Sequence, residues 1–187
     1  NQPPVTLFMD GFVDGVAKYN EVHGTTVVAL GWDKASQDGV FTGDFEDTGK
    51  GLTTTQAFID QGADVILPVA GQVGEGAAAA ARDAGDVAII WVDNDGFETL
   101  PADYRDLILT SVLKNTGDAV AEIAKQSSVD EFTNAPYVGT LENGGVGLAP
   151  YHSLASSVPD ELVAELDGLR QEIIDGSLEI SSPSAPK

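Results

Sequence analysis

The stretch from Asp64 to Asp95 constrains the fold more than any other part of the sequence. It reads as an apolar run (DVILPVA), a glycine-rich turn (GQVGEG), an alanine-rich segment and a second apolar run that ends in an acidic turn. Strands buried on both faces of a parallel sheet read as unbroken runs of Val, Ile and Leu, and a helix must connect them. The stretch therefore predicts a right-handed βαβ crossover, with ligands bound beyond the carboxyl ends of the strands.

The charge balance restricts the classes of partner. Nine basic and thirty acidic residues give a formal net charge of −21, which argues against binding to nucleic acid or to an anionic membrane surface. Because 42% of the residues are hydrophobic, the chain is expected to fold and not to form an acidic disordered tail. The absence of cysteine excludes disulfides, thiolate metal sites and cysteine nucleophiles.

The segment before the crossover predicts two helices and a strand. Phe8, Phe12, Val16 and Tyr19 share one face of a helix over residues 8–20. Three further features follow along the chain: a C-terminal cap at Gly24, a β-branched strand over residues 25–30 and a helix over residues 52–61. The acidic, glycine-rich segment 31–51 is interpreted as a surface loop, with a calcium site or a ligand lid as the alternative.

The segment after the crossover predicts a strand over residues 107–113, a helix over residues 116–126 and a hairpin over residues 137–148. Asn143-Gly144 is the turn signal of that hairpin. Ser157 with Asp160 resembles a capping box for a final helix. Residues 181–187 are expected to form a disordered tail.

Six motifs in this order resemble the basic membrane protein family of nucleoside-binding lipoproteins, which serve ABC importers. The motifs are FMDGFVDGVAKYN, DQGADVILPVAG, the Gly-x-x-Gly-x-Gly turn, IIWVDND, ILTSVLK and ENGGVGLAPYH. The resemblance implies an α/β fold of the type I periplasmic-binding-protein kind, with an open, mostly parallel sheet flanked by helices. It covers the latter part of a family member: a second-lobe domain over residues 1–109, and a return segment over residues 110–180 that completes the first lobe.

The resemblance also implies the binding residues. Asp93 is expected to bind ribose hydroxyls, Lys114 to contact the same sugar, and the turn with Gly71, Gly74 and Gly76 to let backbone amides approach the ligand. The family stacks the nucleobase on an aromatic ring just after that turn, where this chain has alanines from residue 77. We therefore expect another ring, Trp32 or Phe97, to replace it, or a ligand that is not a purine nucleoside.

The function implied is that of an extracytoplasmic solute-binding protein, without enzymatic activity and without a cofactor, which delivers a nucleoside to an ABC permease. A lipid anchor and the remainder of the first lobe are expected in the full-length protein but not in this chain. Half a cleft leaves Asp93, Lys114 and the glycine turn open to water, so we expect the chain alone to bind nucleosides at millimolar strength or not at all. The apolar surfaces that should meet the first lobe lead us to expect self-association of the chain.

The alternative is a metal-dependent transferase that uses the Asp93-Asn94-Asp95 turn to hold a divalent cation against a nucleotide-sugar diphosphate. The negative charge of the chain argues against it, as does the lack of a basic group other than Lys114 near that turn to receive a diphosphate. Asp95 is more simply explained as a turn cap. His23 and His152 lack the spacing of a metal pair and are interpreted as a surface residue and a structural residue. Ser111 has no neighbouring base and is not expected to be a nucleophile.

Overall fold

The computed structural model describes residues 2–129 and 133–185. The chain forms two compact units: unit 1 comprises residues 1–88 and 179–187, and unit 2 comprises residues 89–178. The combination of helices with a sheet that contains parallel strands confirms the predicted α/β class. The expected lobe boundary at residue 109 remains a prediction about a two-lobe protein.

The described residues of unit 1 form three helices and three short strands. They are α1 (Pro3–His23), β1 (Trp32–Asp33), β2 (Asp38–Gly39), α2 (Thr48–Ile59), β3 (Val65–Ile66) and α3 (Val73–Ala84). The predicted first helix is confirmed and begins five residues earlier than expected, with proline in its first turn. Gly24 ends the helix in the left-handed conformation (φ 64°), which glycine adopts without steric cost.

The strand predicted over residues 25–30 is wrong. The segment has no strand assignment, although its β-branched composition favours one. The physical reason is local, because the side chain of Asn20 forms hydrogen bonds with both the amide and the carbonyl of Val27. Its Nδ2 atom donates to the Val27 carbonyl at 2.8 Å, and its Oδ1 atom accepts from the Val27 amide at 2.9 Å. A polar side chain thus occupies hydrogen-bonding positions that a neighbouring strand would otherwise use.

The loop predicted over residues 31–51 contains the two-residue ladder of β1 and β2, and its acidic side chains organise turns. Asp33 accepts from the amides of Ala35 and Ser36, and Asp44 accepts from those of residues 46 and 47. Lys50 also donates to Asp44, and these hydrogen bonds lower the pKa of the Asp44 carboxyl to about 2. No group of three or more potential metal ligands forms within residues 2–129 and 133–185, so the calcium alternative gains no support.

The two helices α2 and α3 pack closely against each other. A Cβ atom added to Gly76 would lie 1.9 Å from the Thr48 carbonyl oxygen, and one added to Gly51 would lie 2.0 Å from that of Val73. The alanine face of α3 is fully covered, with Ala78, Ala80 and Ala81 at 0% exposure. Small residues on both helices therefore bring two backbones into contact and form part of the core of unit 1.

Unit 2 is built around three strands. Its elements are β4 (Ala88–Asp93, whose first residue belongs to unit 1), α4 (Gly96–Thr99), a 3-10 helix (Ala102–Leu107), β5 (Ile108–Lys114), α5 (Thr116–Ser128), β6 (Val146–Leu148), a second 3-10 helix (His152–Ser157) and α6 (Asp160–Asp175). Strands β4 and β5 are parallel, and β6 is antiparallel to β5. The buried side chains of Ile89 and Ile108, each at 0% exposure, lie on these two parallel strands.

The predicted hairpin over residues 137–148 is only partly correct. The turn exists: Gly144 has a φ of 70°, and the Asn143 side chain accepts from the Thr140 and Gly145 amides. Its second arm, however, forms β6 and pairs with β5, while residues 137–140 carry no strand assignment. The predicted capping box is wrong as well, since Pro159 occupies the N-cap of α6 and no described side chain caps that end.

Helices α5 and α6 lie on the surface of unit 2. All their residues are described, and none of them is buried. Within the described residues, no helix has the length and the apolar character that crossing a membrane requires.

The disordered tail predicted over residues 181–187 is wrong for its described part, because residues 181–185 are hydrogen-bonded to the N-terminal part of unit 1. Ser182 donates to Asp10 on α1, and the hydroxyls of Ser184 and Thr6 lie 2.6 Å apart. The Nζ atom of Lys34 donates to the Ser181 carbonyl at 2.7 Å. Small hydroxylated residues thus attach this end of the chain to α1. Residues 186 and 187 lie outside the described part.

Candidate ligand-binding site

Asp93 occupies a strained turn at the carboxyl end of β4. Its φ is 69°, a conformation that few residues other than glycine adopt, although aspartate tolerates it better than most. The amide of Asn94 donates to the carbonyl of Val92 at 2.9 Å, so three residues close a tight turn around Asp93. Strained turns of this kind concentrate at functional sites.

Lys114 lies beside Asp93 because the two strands run in parallel. In the register of β4 and β5, Asp93 is opposite Leu113, so Lys114 follows at the same edge of the sheet. The Nζ atom of Lys114 lies 2.9 Å from Oδ1 of Asp93, and the two side chains are 41% and 52% exposed. The structure therefore brings together the two side chains that the sequence predicted to bind one sugar.

Asp95, two residues further on, is the N-cap of α4. Its Oδ1 atom accepts from the amide of Phe97 at 3.0 Å, as expected for a turn cap. Its Oδ2 atom lies 2.7 Å from Nε2 of His152. Both carboxylate oxygens of Asp95 are thus engaged by protein groups.

Phe97 does not present a free ring face on the side of His152. The two rings stack with their centroids 4.1 Å apart and an angle of 8° between their planes. The guanidinium carbon of Arg105 lies 5.8 Å from the Phe97 centroid, and its Nε atom is buried without a hydrogen-bond partner among the described residues. These contacts make Phe97 a packing residue of unit 2 and do not favour base stacking.

Ser111 and Gly96 fix the start of α4. The Ser111 hydroxyl is fully buried and accepts from the Gly96 amide at 3.0 Å, which agrees with a structural role and not with a nucleophile. A Cβ atom at residue 96 would lie 2.7 Å from Cβ of Trp91, so glycine is required there. The turn after β4 is thus attached to β5 as well as to His152.

The predicted glycine turn belongs to unit 1. Gly71 has a φ of 54°, Gly74 donates its amide to the Gly71 carbonyl at 3.0 Å, and Gly76 lies inside α3. The Val73 amide donates to the Phe45 carbonyl at 3.3 Å. Since Gly76 is required by the packing of α3 against α2, helix packing explains this glycine, and the ligand role of the turn remains a prediction.

Trp32, the other ring proposed for base stacking, is buried in unit 1 at 8% exposure. Its Nε1 atom donates to Oδ1 of Asp10 at 2.9 Å, and its ring meets the edge of Phe41 with centroids 5.9 Å apart. The residue also lines a cavity of unit 1, so its proposed contact with a ligand remains a prediction.

His152 is the residue of this site that sequence reasoning missed. It is 57 residues from Asp95 along the chain, so no local spacing connects the two. The pairing of β6 with β5 connects them, because Leu148 is opposite Val112 and the chain then reaches His152. Its φ of 41° is also positive, which no sequence pattern indicated.

Comparison with known proteins identifies the family of the chain. A family model described as ABC transporter substrate-binding protein PnrA-like matches residues 1–184. A CD4+ T-cell-stimulating antigen of Listeria monocytogenes is 24% identical in an alignment of 188 residues that covers 94% of this chain and 48% of the antigen. Basic membrane protein B of Borreliella burgdorferi is 33% identical in an alignment of 113 residues that covers 58% of this chain and 32% of that protein. The chain spans about half the length of the antigen.

Solved structures show the same fold. A solute-binding protein of an ABC transporter system from Aeropyrum pernix matches 99% of this chain and 56% of its own, with a TM-score of 0.79 and 23% identity. A solute-binding protein of the same kind from Conexibacter woesei matches 78% of this chain and 46% of its own, with a TM-score of 0.63 and 26% identity. These likenesses confirm the predicted periplasmic-binding-protein fold. With the family match over residues 1–184, they lead to one conclusion: the chain belongs to the PnrA-like family of ABC transporter substrate-binding proteins, the basic membrane protein family that its motifs resemble.

Proposed function

We propose that the chain is part of an extracytoplasmic solute-binding protein of an ABC importer and that it binds the ribose of a nucleoside through Asp93 and Lys114. Family membership supports the class of protein. The single observation that supports the residues is the 2.9 Å contact between the Asp93 carboxylate and the Lys114 ammonium at adjacent strand ends. This edge of a sheet is where open α/β folds bind their ligands.

The chemistry of this pair suits two neighbouring hydroxyls. A carboxylate accepts hydrogen bonds and an ammonium donates them, so a hydroxyl that lies between the two can donate to one and accept from the other. The vicinal 2′- and 3′-hydroxyls of ribose offer this pattern twice. Hydrogen bonds to charged groups contribute about 1.5–3 kcal/mol each, enough to make a sugar contact matter for affinity.

The exposure of the pair also supports a binding role. Ion pairs on a surface contribute about 0–1 kcal/mol to stability, so stability alone is a weak reason to hold Asp93 in a strained conformation next to Lys114. A site that must accept a ligand, in contrast, needs charged groups that are positioned in advance and still accessible.

The proposal includes partners and location. Solute-binding proteins of this fold close two lobes around the ligand by a hinge motion, and we infer that the loaded protein then delivers the nucleoside to a membrane permease. In the full-length protein we expect a lipid anchor to hold it at the outer face of the membrane. For the chain alone, we also propose that it self-associates.

The transferase alternative gains no support. A metal site on the Asp93-Asn94-Asp95 turn would need free carboxylate oxygens, whereas Asp95 uses both of its oxygens for Phe97 and His152. Asp93 is already paired with Lys114.

Titration calorimetry tests the proposed function on a two-lobe protein that contains this chain. We expect inosine to bind in the micromolar range or tighter, ribose to compete weakly, and hypoxanthine to bind much less well than inosine. Magnesium or EDTA should leave these affinities unchanged. Inosine and hypoxanthine of equal affinity would contradict the ribose contact, and a strict requirement for a divalent cation would contradict the receptor mechanism.

A further inference from the structure

We propose that His152 is a positioning residue for the ligand site: its imidazole holds Asp95, and Asp95 in turn holds the turn that presents Asp93. The inference rests on the proposed function, because Asp93 is the residue that would touch the sugar. It assigns a role in binding to His152, a residue of the return segment that is not among the site residues predicted from sequence.

The first support is the way in which the Asp95 carboxylate is fixed. One oxygen accepts from the Phe97 amide at 3.0 Å, and the other lies 2.7 Å from Nε2 of His152. The imidazole is itself held, because it stacks on the Phe97 ring at 4.1 Å with nearly parallel planes. The Asp95 and His152 side chains are only 20% and 16% exposed, so water competes weakly for this hydrogen bond.

The second support is backbone strain. The described residues include three non-glycine residues with positive φ, namely Gln37, Asp93 and His152. His152 contacts the Asp95 carboxylate directly, and Asp93 stands two residues before Asp95 in the same turn. Strained backbone persists only where the surrounding contacts determine it, so these contacts are what we expect to maintain the conformation of Asp93.

The third support is the anchoring of His152 to the sheet. The amide of Ala149 donates to the Ser111 carbonyl at 2.9 Å, and the Thr110 hydroxyl donates to the Ala149 carbonyl at 2.7 Å. These bonds fix the chain three residues before His152 onto β5, the strand that carries Lys114. The imidazole is therefore held relative to both strands of the candidate site.

Hydrogen exchange measured by NMR on the 187-residue chain tests the positioning role without any ligand. In His152→Ala we expect the amides of Asn94 and Phe97 to exchange roughly ten-fold faster, as for the loss of one charged hydrogen bond. His152→Gln places an amide nitrogen near the position of Nε2 and should restore most of the protection. The Gly85 amide, which donates to Ala81 in unit 1, is the internal control and should not change.

A double-mutant cycle tests the consequence for binding in the two-lobe protein, with inosine as the probe. We expect His152→Ala to weaken inosine binding about five- to ten-fold when Asp93 is present. In the Asp93→Ala background it should have little effect, because His152 affects binding only by positioning Asp93. Fully additive losses would overturn the inference.

The two proposals fail in distinguishable ways. If Asp93→Ala leaves inosine affinity unchanged, the proposed function is wrong, and the exchange rates still decide whether His152 holds the turn. Unchanged exchange at Asn94 in His152→Ala would overturn the positioning role even if Asp93 binds ribose. If His152→Ala does not fold, His152→Phe and Phe97→Leu make the same comparison. The first keeps a ring against Phe97 without the hydrogen bond to Asp95 and should lose protection at Asn94, whereas the second keeps the hydrogen bond and should retain it. Retained protection in His152→Phe would overturn the positioning role.

Discussion

The Nζ atom of Lys114 lies 2.9 Å from Oδ1 of Asp93, so the carboxyl ends of two adjacent parallel strands carry opposite charges in direct contact. The two side chains remain 41% and 52% exposed. A pair of this kind contributes little to stability, about 0–1 kcal/mol, because water screens it. Ligand affinity and thermal stability should therefore respond very differently when either partner is changed.

The first prediction concerns Asp93→Ala in a two-lobe protein that contains this chain. Inosine binding should weaken by about 1.5–3 kcal/mol, roughly ten- to a hundred-fold, because charged hydrogen bonds to the ribose are lost. Hypoxanthine, which has no ribose, should lose little. Titration calorimetry measures both affinities. Asp93→Asn separates charge from backbone strain, because asparagine tolerates a positive φ better than alanine does.

Asp86→Ala is the matched control for this experiment, since Asp86 is an exposed acidic residue that precedes the same strand. It should leave both affinities unchanged. Equal losses for inosine and hypoxanthine in Asp93→Ala would contradict the assignment to ribose. A large fall in melting temperature for Lys114→Met, without a change in affinity, would show that the pair is structural.

The second prediction concerns the contact of α2 with α3. Gly76→Ala should destabilise unit 1 by about 1–3 kcal/mol, since the new methyl group would lie 1.9 Å from the Thr48 carbonyl oxygen and the helices must separate. Gly15→Ala is the control, because nothing lies within 4 Å of that position on α1. It should stabilise the helix by about 0.5–1 kcal/mol. Urea denaturation followed by circular dichroism measures both changes, and equal stability of the two variants would contradict the packing role.

The sequence predicted those parts of the fold whose signal is strong over many residues. The strand, helix and strand between Asp64 and Asp95, the strand β5 and the helix α5 have long apolar or alanine-rich patterns, and the structure has these elements in that order. The joint role of Asp93 and Lys114 was implied by the resemblance to the family, and the structure places both residues at one edge of the sheet because β4 and β5 are parallel.

The incorrect predictions have two physical causes. In some places a competing local contact determines the structure, and in others a contact with a residue distant in sequence does. Asn20 takes the backbone groups of Val27 and removes the expected strand. The arm after Asn143-Gly144 pairs with β5 and not with residues 137–140. His152 reaches Asp95 only through that pairing, so its role could not be derived from local spacing.

The third prediction concerns self-association of the 187-residue chain. Helix α5 buries none of its residues, and its apolar side chains Val120 and Ile123 are 67% and 39% exposed. Isolated helices of this length are marginal in water, so we expect a second copy to cover this face. Light scattering should show dimers or larger species at micromolar to millimolar concentration. Val120→Ser with Ile123→Ser should shift the chain toward monomer, whereas Ala121→Ser on the same helix should not. Wild-type chain that is monomeric throughout would contradict the prediction.

The last prediction concerns the pH dependence of unit 1. Asp10 is 1% exposed, and burial raises the pKa of its carboxyl, but hydrogen bonds from Ser182, Trp32 and Gln37, together with the charge of Lys34, lower it more. The net pKa lies below the ordinary value of 3.8. A carboxyl whose pKa is lower in the folded state stabilises the protein above its unfolded pKa and loses that contribution as the pH falls through its folded pKa.

Asp10→Asn keeps an acceptor for the indole but cannot titrate, so it isolates this contribution. At pH 7 the free energy of unfolding of the variant should be about 1–3 kcal/mol lower than that of the wild type, because charged hydrogen bonds are lost. The difference should shrink as the pH falls below the ordinary value of 3.8 and through the lower pKa of the folded state, where the wild-type carboxyl becomes protonated. Trp32 fluorescence in a Trp91→Phe background reports the unfolding of unit 1, because the Trp32 indole donates directly to Asp10. Asp86→Asn should show no such difference. A difference in the free energy of unfolding between the wild type and Asp10→Asn that stays constant from pH 7 to 2 would contradict the prediction. Asp10 would then act only as a neutral packing group, and the hydrogen bonds from Trp32, Gln37 and Ser182 would not favour its charged form.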